Sequence, residues 1–114
     1  MNIHQLKQFV CVAKHRNMTK AAAELFMTQQ ALSKTMRLLQ AEVRDELFIQ
    51  TQNGLQLTSF GSKLFSISLS LIQYYDSCMG MIDRLIEKNR SHLTVIYEHP
   101  VFQYAVPQGA ERKI

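Results

Sequence analysis

Five residues set the chemical question: Gln29, Gln30, Ser33, Lys34 and Arg37. At about 100° per residue they share an arc of about 140° on one helix. That side offers amides, a hydroxyl and two cations, with neither an acid nor a bulky apolar group. Glutamine can pair with adenine through two hydrogen bonds, and lysine or arginine with guanine. Leu32, Thr35, Met36, Leu39 and Val43 lie opposite and suit a core-facing stripe. A plain solvated helix face has the same composition, so the neighbouring elements must decide between the two readings.

Those elements follow from periodicity and caps. Ile3, Leu6, Phe9, Val10 and Ala13 fall at helical spacing, which predicts a first helix over about residues 2–15 with Asn2 as its cap. "HRNM" breaks it, and Thr19 opens a short alanine-rich helix through about Phe26. "MT" makes a tight turn, and Thr28 caps a third helix through about Val43. The period then changes: "ELFIQT" and "LQLT" flank "QNG", and Asn53-Gly54 signals a hairpin. The expected fold class is therefore mainly α. Residues 1–58 form a winged helix-turn-helix, three helices plus a β-hairpin wing, which turns the polar side of the third helix outward.

Thr58 and Ser59 cap a long dimerisation linker helix over residues 59–90. Leu64, Ile67, Leu71, Tyr74, Cys78, Met81 and Leu85 form a heptad seam along it. Phe65, Leu69, Ile72, Met79, Ile82 and Ile86 add a second stripe, so this helix needs its own domain on one side and a second copy on the other. Tyr74 and Tyr75 are expected at the dimer edge. Residues 91–114 form a short tail, in which "LTVIY" reads as a strand without partner strands and "PQGAERKI" as a disordered end.

Composition excludes several classes. The 46% apolar fraction is that of a globular chain, and 114 residues suffice for a core without staples. The net charge is +4, and residues 1–58 hold seven Lys/Arg against four Asp/Glu, which suits an anionic partner. Cys11 and Cys78 read as core thiols, and His4, His15, His92 and His99 as scattered surface residues, so no metal and no cofactor is expected. There is no nucleophile–base constellation, phosphate-cradling loop or carboxylate pair, so an enzyme is not expected. The start is amphipathic rather than signal-like, and no stretch spans a membrane, which points to a soluble cytoplasmic protein.

The run "TKAAAELFMTQQALSKTMRLLQAEVRDELFIQTQNGLQLTSFG", with "LKQFVCVAKHRNM" before it, resembles the N-terminal domain of LysR-type transcriptional regulators over about residues 1–90. The landmarks are Thr19, Ala21-Ala22, Leu25, Thr28-Gln29, Ala31-Leu32-Ser33, Leu39, Leu47-Phe48, Gly54, Leu57-Thr58 and Gly61. The resemblance implies a bacterial regulator that dimerises through its linker helices and binds a pseudo-palindromic site on double-stranded DNA. It implies base-edge and groove positions at Gln29, Gln30, Ser33 and Lys34, phosphate positions at Thr19, Lys20, Thr28 and Arg37, and wing positions at Gln50 and Asn53. Four departures stand out. Gln30 replaces a usual proline and regains an N–H, and Gln40 replaces a common glutamate. Arg44 replaces a helix-ending glycine, at a strain of about 1 kcal/mol. Gln50 and Asn53 replace wing arginines that would enter the narrow minor groove, predicting weaker, less salt-sensitive binding.

A full-length member continues into a periplasmic-binding-protein-like sensor, whose first strand "LTVIY" resembles, so no small-molecule effector site is expected in this chain. A truncation and a natural short form both stay open, as do a heterodimer and a higher oligomer. The function read from this is a DNA-binding regulator without its own sensor. The alternative is a dimerisation module that pairs with a full-length regulator and modulates it. The winged helix of molybdate-responsive regulators shares the early motif and changes little.

Overall fold

The computed structural model describes the backbone of residues 1–96 and the side chains of residues 1–90. Its elements run α1 (Ile3–His15), α2 (Met18–Glu24), α3 (Gln29–Val43), β1 (Phe48–Thr51), β2 (Gly54–Leu57) and α4 (Ser59–Ile96). The chain divides into two compact units, Met1–Tyr75 and a second that begins at Asp76, inside the span of α4.

Each helix start is a side-chain cap. Asn2 Oδ1 accepts from Gln5 N (2.9 Å), and the Gln5 side chain accepts from Asn2 N (3.0 Å), a reciprocal capping box. Thr28 Oγ1 accepts from Ala31 N at the start of α3 (3.0 Å), as expected. At α2 the expectation fails: Asn17 Oδ1 accepts from Lys20 N (2.8 Å), so the cap is Asn17 and Thr19 lies inside the first turn. Asparagine caps better than threonine, and Asn17 stands where the chain has just left α1. Helix α2 also ends earlier than expected, at Glu24. Phe26 takes a left-handed backbone (φ 56°) and is 96% exposed.

The core gathers Phe9, Val10, Cys11 and Val12 of α1, Ala21 and Ala22 of α2, Leu32, Met36 and Leu39 of α3, and Leu47. Leu32, Leu39, Leu47 and Phe9 are almost wholly buried, each contributing about 1.5–3 kcal/mol of hydrophobic stabilisation. The two small alanines let α2 approach closely. Leu64, Phe65, Leu69 and Ile72 of α4 pack against this core. Leu64, placed on the seam by its spacing, is thus half-buried against its own domain. Tyr75 is half-buried, with Lys7 Nζ 5.2 Å from its ring centroid.

The hairpin pairs Phe48 with Leu57 and Thr51 with Gly54 across a Gln52–Asn53 loop. Only Gly54 has positive φ (101°), so this is not the primed turn that Asn53-Gly54 suggests; two ordinary residues are followed by a left-handed glycine. The hairpin is seated on the end of α1. Leu55 N donates to Arg16 O (3.0 Å), Arg16 Nε donates to Leu55 O (3.3 Å), and the Phe48 ring lies 5.4 Å from that of Phe9. A Cβ on Gly54 would stand 2.6 Å from Arg16 O.

The hairpin's exit is equally constrained. Thr58 N donates to Leu47 O (3.0 Å), Thr58 Oγ1 donates to Glu46 O (2.6 Å) and accepts from Gly61 N (2.9 Å), which caps α4. A Cβ on Gly61 would meet Leu47 O at 2.2 Å, so only glycine fits. Arg44 ends α3 in the left-handed conformation (φ 61°, ψ 39°), as its sequence position implied. Helix α4 continues to Ile96, so Leu93–Ile96 are helical where a strand was expected and the linker runs past residue 90. Extending an existing helix needs no new nucleus, which lets a β-branched run follow its neighbours. Tyr97, His99 and the expected disordered end lie outside the described residues.

Candidate nucleic-acid interface

The polar side of α3 faces solvent. Gln29, Gln30, Lys34 and Arg37 are exposed and Ser33 is half-buried, whereas Leu32, Met36 and Leu39 are buried behind them. The helix start is arranged for an anion. Thr28 Oγ1 holds Ala31 N and Thr28 O accepts from Leu32 N (3.1 Å), leaving the Gln29 and Gln30 N–H groups for an outside acceptor. A proline at position 30 would lack one of these donors.

An open groove of about 360 Å³ joins this helix start to the rest of the domain. Arg16, Asn17, Met18, Thr19, Gln29, Ser33, Gln50, Gly54 and Leu55 line it, none of them acidic. It brings together four of the sequence-nominated residues: Thr19, Gln29, Ser33 and Gln50. Thr19 Oγ1 donates to Gln29 Oε1 (3.1 Å), which orients the carboxamide and leaves its NH2 group to donate elsewhere. Lys20, Thr28, Gln30, Lys34, Arg37 and Asn53 do not line the groove; all are exposed. Arg16 and Asn17 were missed by sequence reasoning. Asn17 had a readable signal as a cap before "MTK"; Arg16 reaches the groove only because its left-handed backbone turns the chain there.

Several of the hairpin's polar groups bond within the hairpin itself. Gln50 Nε2 donates to its neighbour Thr51 O (3.1 Å), and Thr51 Oγ1 accepts from Asn53 N (3.2 Å) and donates to Gly54 O (2.7 Å). No charged residue occurs from Phe48 to Leu57. The Gln40 side chain, nominated as a departure, accepts from Leu47 N (2.8 Å) and serves the α3–β1 connection.

Away from this face, Cys11, His15 and Glu24 place one donor atom each within 4.8 Å of one another. Burial, then the hydrogen bond to the Glu24 carboxylate, pushes the Cys11 thiol up to about 11. Hydrogen bonds from His15 and then Cys11 hold Glu24 below the usual carboxylate range. A thiol so disfavoured from ionising is no activated nucleophile. Among the described residues, no helix is long and apolar enough to cross a membrane.

Residues 3–62 match the family described as "Bacterial regulatory helix-turn-helix protein, lysR family". The chain is 33% identical over 86 residues to the HTH-type transcriptional activator AmpR of Citrobacter freundii, covering 75% of this chain and 28% of that protein. It is 33% identical over 92 residues to the HTH-type transcriptional regulator BudR of Klebsiella aerogenes, covering 79% of this chain and 58% of that one. Among solved structures, the BenM_DBD/catB site 1 DNA complex superposes with a TM-score of 0.72 at 25% identity, covering 78% of this chain and 96% of that one. The chain thus spans less than a third of AmpR's length. With its three helices, its two-stranded wing and a family match over more than half its residues, the chain belongs to the lysR family of bacterial regulatory helix-turn-helix proteins.

Proposed function

We infer that this chain is a DNA-binding transcriptional regulator of LysR type, working in the bacterial cytoplasm. The observation that carries this reading is the solvent-facing side of α3, where amides, a hydroxyl and two cations stand together without an acid above a core-packed apolar stripe. In this reading Gln29, Gln30, Ser33 and Lys34 meet base edges in the major groove, the side chain of Gln29 oriented by Thr19. Thr19, Lys20, Thr28 and Arg37 meet phosphates, and Gln50 and Asn53 lie along the wing. The helix-turn-helix pair of α2 and α3 is the geometry that places such a helix in a groove.

Dimerisation through α4 completes the reading. Ile67 (66% exposed), Tyr74 (71%), Met81 (54%) and Leu85 (66%), with Leu71 and half-buried Cys78, present an apolar seam to solvent. A second copy would cover it, and two α3 helices related by a two-fold axis would read a pseudo-palindromic site. The test is a labelled-DNA shift on the region upstream of the chain's own gene. A shift that resists random competitor DNA supports the reading; equal weak binding to both DNAs sinks it.

The uncharged hairpin favours a second reading, in which the chain pairs through α4 with a full-length relative and modulates it. This reading expects little shift from the chain alone and a changed shift when the relative is added.

A further inference from the structure

We propose that Cys11, His15 and Glu24 form a binding site for a divalent metal ion of the zinc class, clamping α1 to α2. Cys11 and His15 stand one helical turn apart on α1, so both side chains project from one face. Glu24 is the last residue of α2 and reaches them because Arg16 reverses the chain and α2 is only seven residues long. Cys11 Sγ lies 3.4 Å from Glu24 Oε2, and His15 Nε2 lies 2.7 Å from Glu24 Oε1.

These spacings suit tetrahedral coordination. With Zn–S of about 2.3 Å and Zn–N and Zn–O of about 2.0–2.2 Å, neighbouring ligand atoms stand about 3.3–3.6 Å apart. The separation of Cys11 Sγ from Glu24 Oε2 already fits, that of His15 Nε2 from Glu24 Oε1 needs to open by about 0.6–0.9 Å, and the carboxylate must turn to offer one oxygen to the ion. The donor set decides the class of ion. A thiolate, an imidazole and a carboxylate suit zinc or cobalt, whereas magnesium and calcium take oxygen donors. Cys11 is buried and forms the wall, His15 is partly exposed and Glu24 exposed, so an ion can enter from solvent and keep a water as its fourth ligand. On binding, the Sγ–H proton leaves to solvent, a metal–sulfur bond forms, and the His15–Glu24 contact is replaced by two bonds to the ion.

The same three side chains also satisfy one another without metal, through the His15–Glu24 hydrogen bond and the thiol's hydrogen bond to the carboxylate. Experiment separates the two. The full chain carrying Cys78→Ser, so that Cys11 is its one thiol, is titrated with cobalt(II) and then with zinc. The expected result is a sulfur-to-cobalt charge-transfer band that saturates at one equivalent, is bleached by zinc, and is accompanied by a rise in Tm. His15→Gln and Glu24→Gln, both changes at accessible side chains, should each weaken cobalt binding at least tenfold while far-UV circular dichroism stays that of the parent. Should Cys11→Ser fail to fold, these two variants still decide the matter. Absence of the band, a band that survives both variants, or binding lost with His4→Gln, His92→Gln or His99→Gln instead would overturn the proposal. DNA binding plays no part in the readout, so the outcome is independent of how α3 meets DNA.

Discussion

Helix α3 presents Gln30, Lys34 and Arg37 to solvent, whereas the hairpin from Phe48 to Leu57 carries no charge and folds its Gln50 amide onto its own strand. Both elements rest on the same core, yet their backbones are secured differently. Helix α3 holds itself, with Thr28 at one end and left-handed Arg44 at the other. The hairpin is held from outside, by Arg16 on one side and by the Leu47–Thr58–Gly61 contacts on the other. In the proposed function this difference separates two jobs. The helix supplies electrostatic affinity and base contacts, while the hairpin contributes shape without counterion release.

Breaking the hairpin's seat should have the largest effect. Gly61→Ala drives a Cβ into Leu47 O and is expected to cost about 3 kcal/mol, read as a fall in Tm and in the denaturant midpoint. Gly54→Ala is expected to cost about 2–3 kcal/mol, since it meets Arg16 O and must also hold a positive φ. A milder loss in either variant would mean that the seat yields more readily than its backbone contacts imply.

Charge removal from α3 comes next. Lys34→Ala with Arg37→Ala is expected to weaken DNA binding by about 2 kcal/mol and to lower the slope of log K against log salt by about 2, with folding unchanged. Binding equal to the parent's would show that α3 is not the reading helix. The reverse experiment gives the hairpin what it lacks. Asn53→Arg should tighten binding by about 1 kcal/mol and steepen the salt slope by about 1. An unchanged slope would place the hairpin tip away from DNA. The smallest effect is expected from Arg44→Gly, which relieves a left-handed residue at the end of α3 and should stabilise the domain by about 0.5 kcal/mol in a thermal melt.

Much of this was legible without coordinates because it depends on local periodicity. The buried Leu32, Met36 and Leu39 and the exposed Gln30, Lys34 and Arg37 follow from residue spacing on one helix. The caps at Asn2, Thr28 and Thr58 were readable for the same reason: each bonds an N–H three residues on. Where two local signals competed, the reading failed. Asn17 caps the helix that Thr19 was expected to open, and a β-branched run at the end of α4 followed the helix before it. Phe26 could not be placed from its type, since a large apolar residue at positive φ, almost wholly exposed, contradicts every average tendency.

The amino-acid sequence by itself determined the family, the order of elements and which side of α3 is polar, because these rest on contacts between residues within one or two turns of each other. Only the tertiary structure decided what long-range packing arranges. It joined Thr19, Gln29, Ser33 and Gln50 to Arg16 and Asn17 in one groove, and made Gly61 irreplaceable against Leu47 O. It also set Tyr75 beside Lys7 and carried Glu24 to Cys11 and His15. For the groove and the Cys11–His15–Glu24 cluster the physical reason is the same. A left-handed residue such as Arg16 or Phe26 redirects the chain by a single backbone torsion, and side chains far apart in sequence then meet through the direction the chain takes.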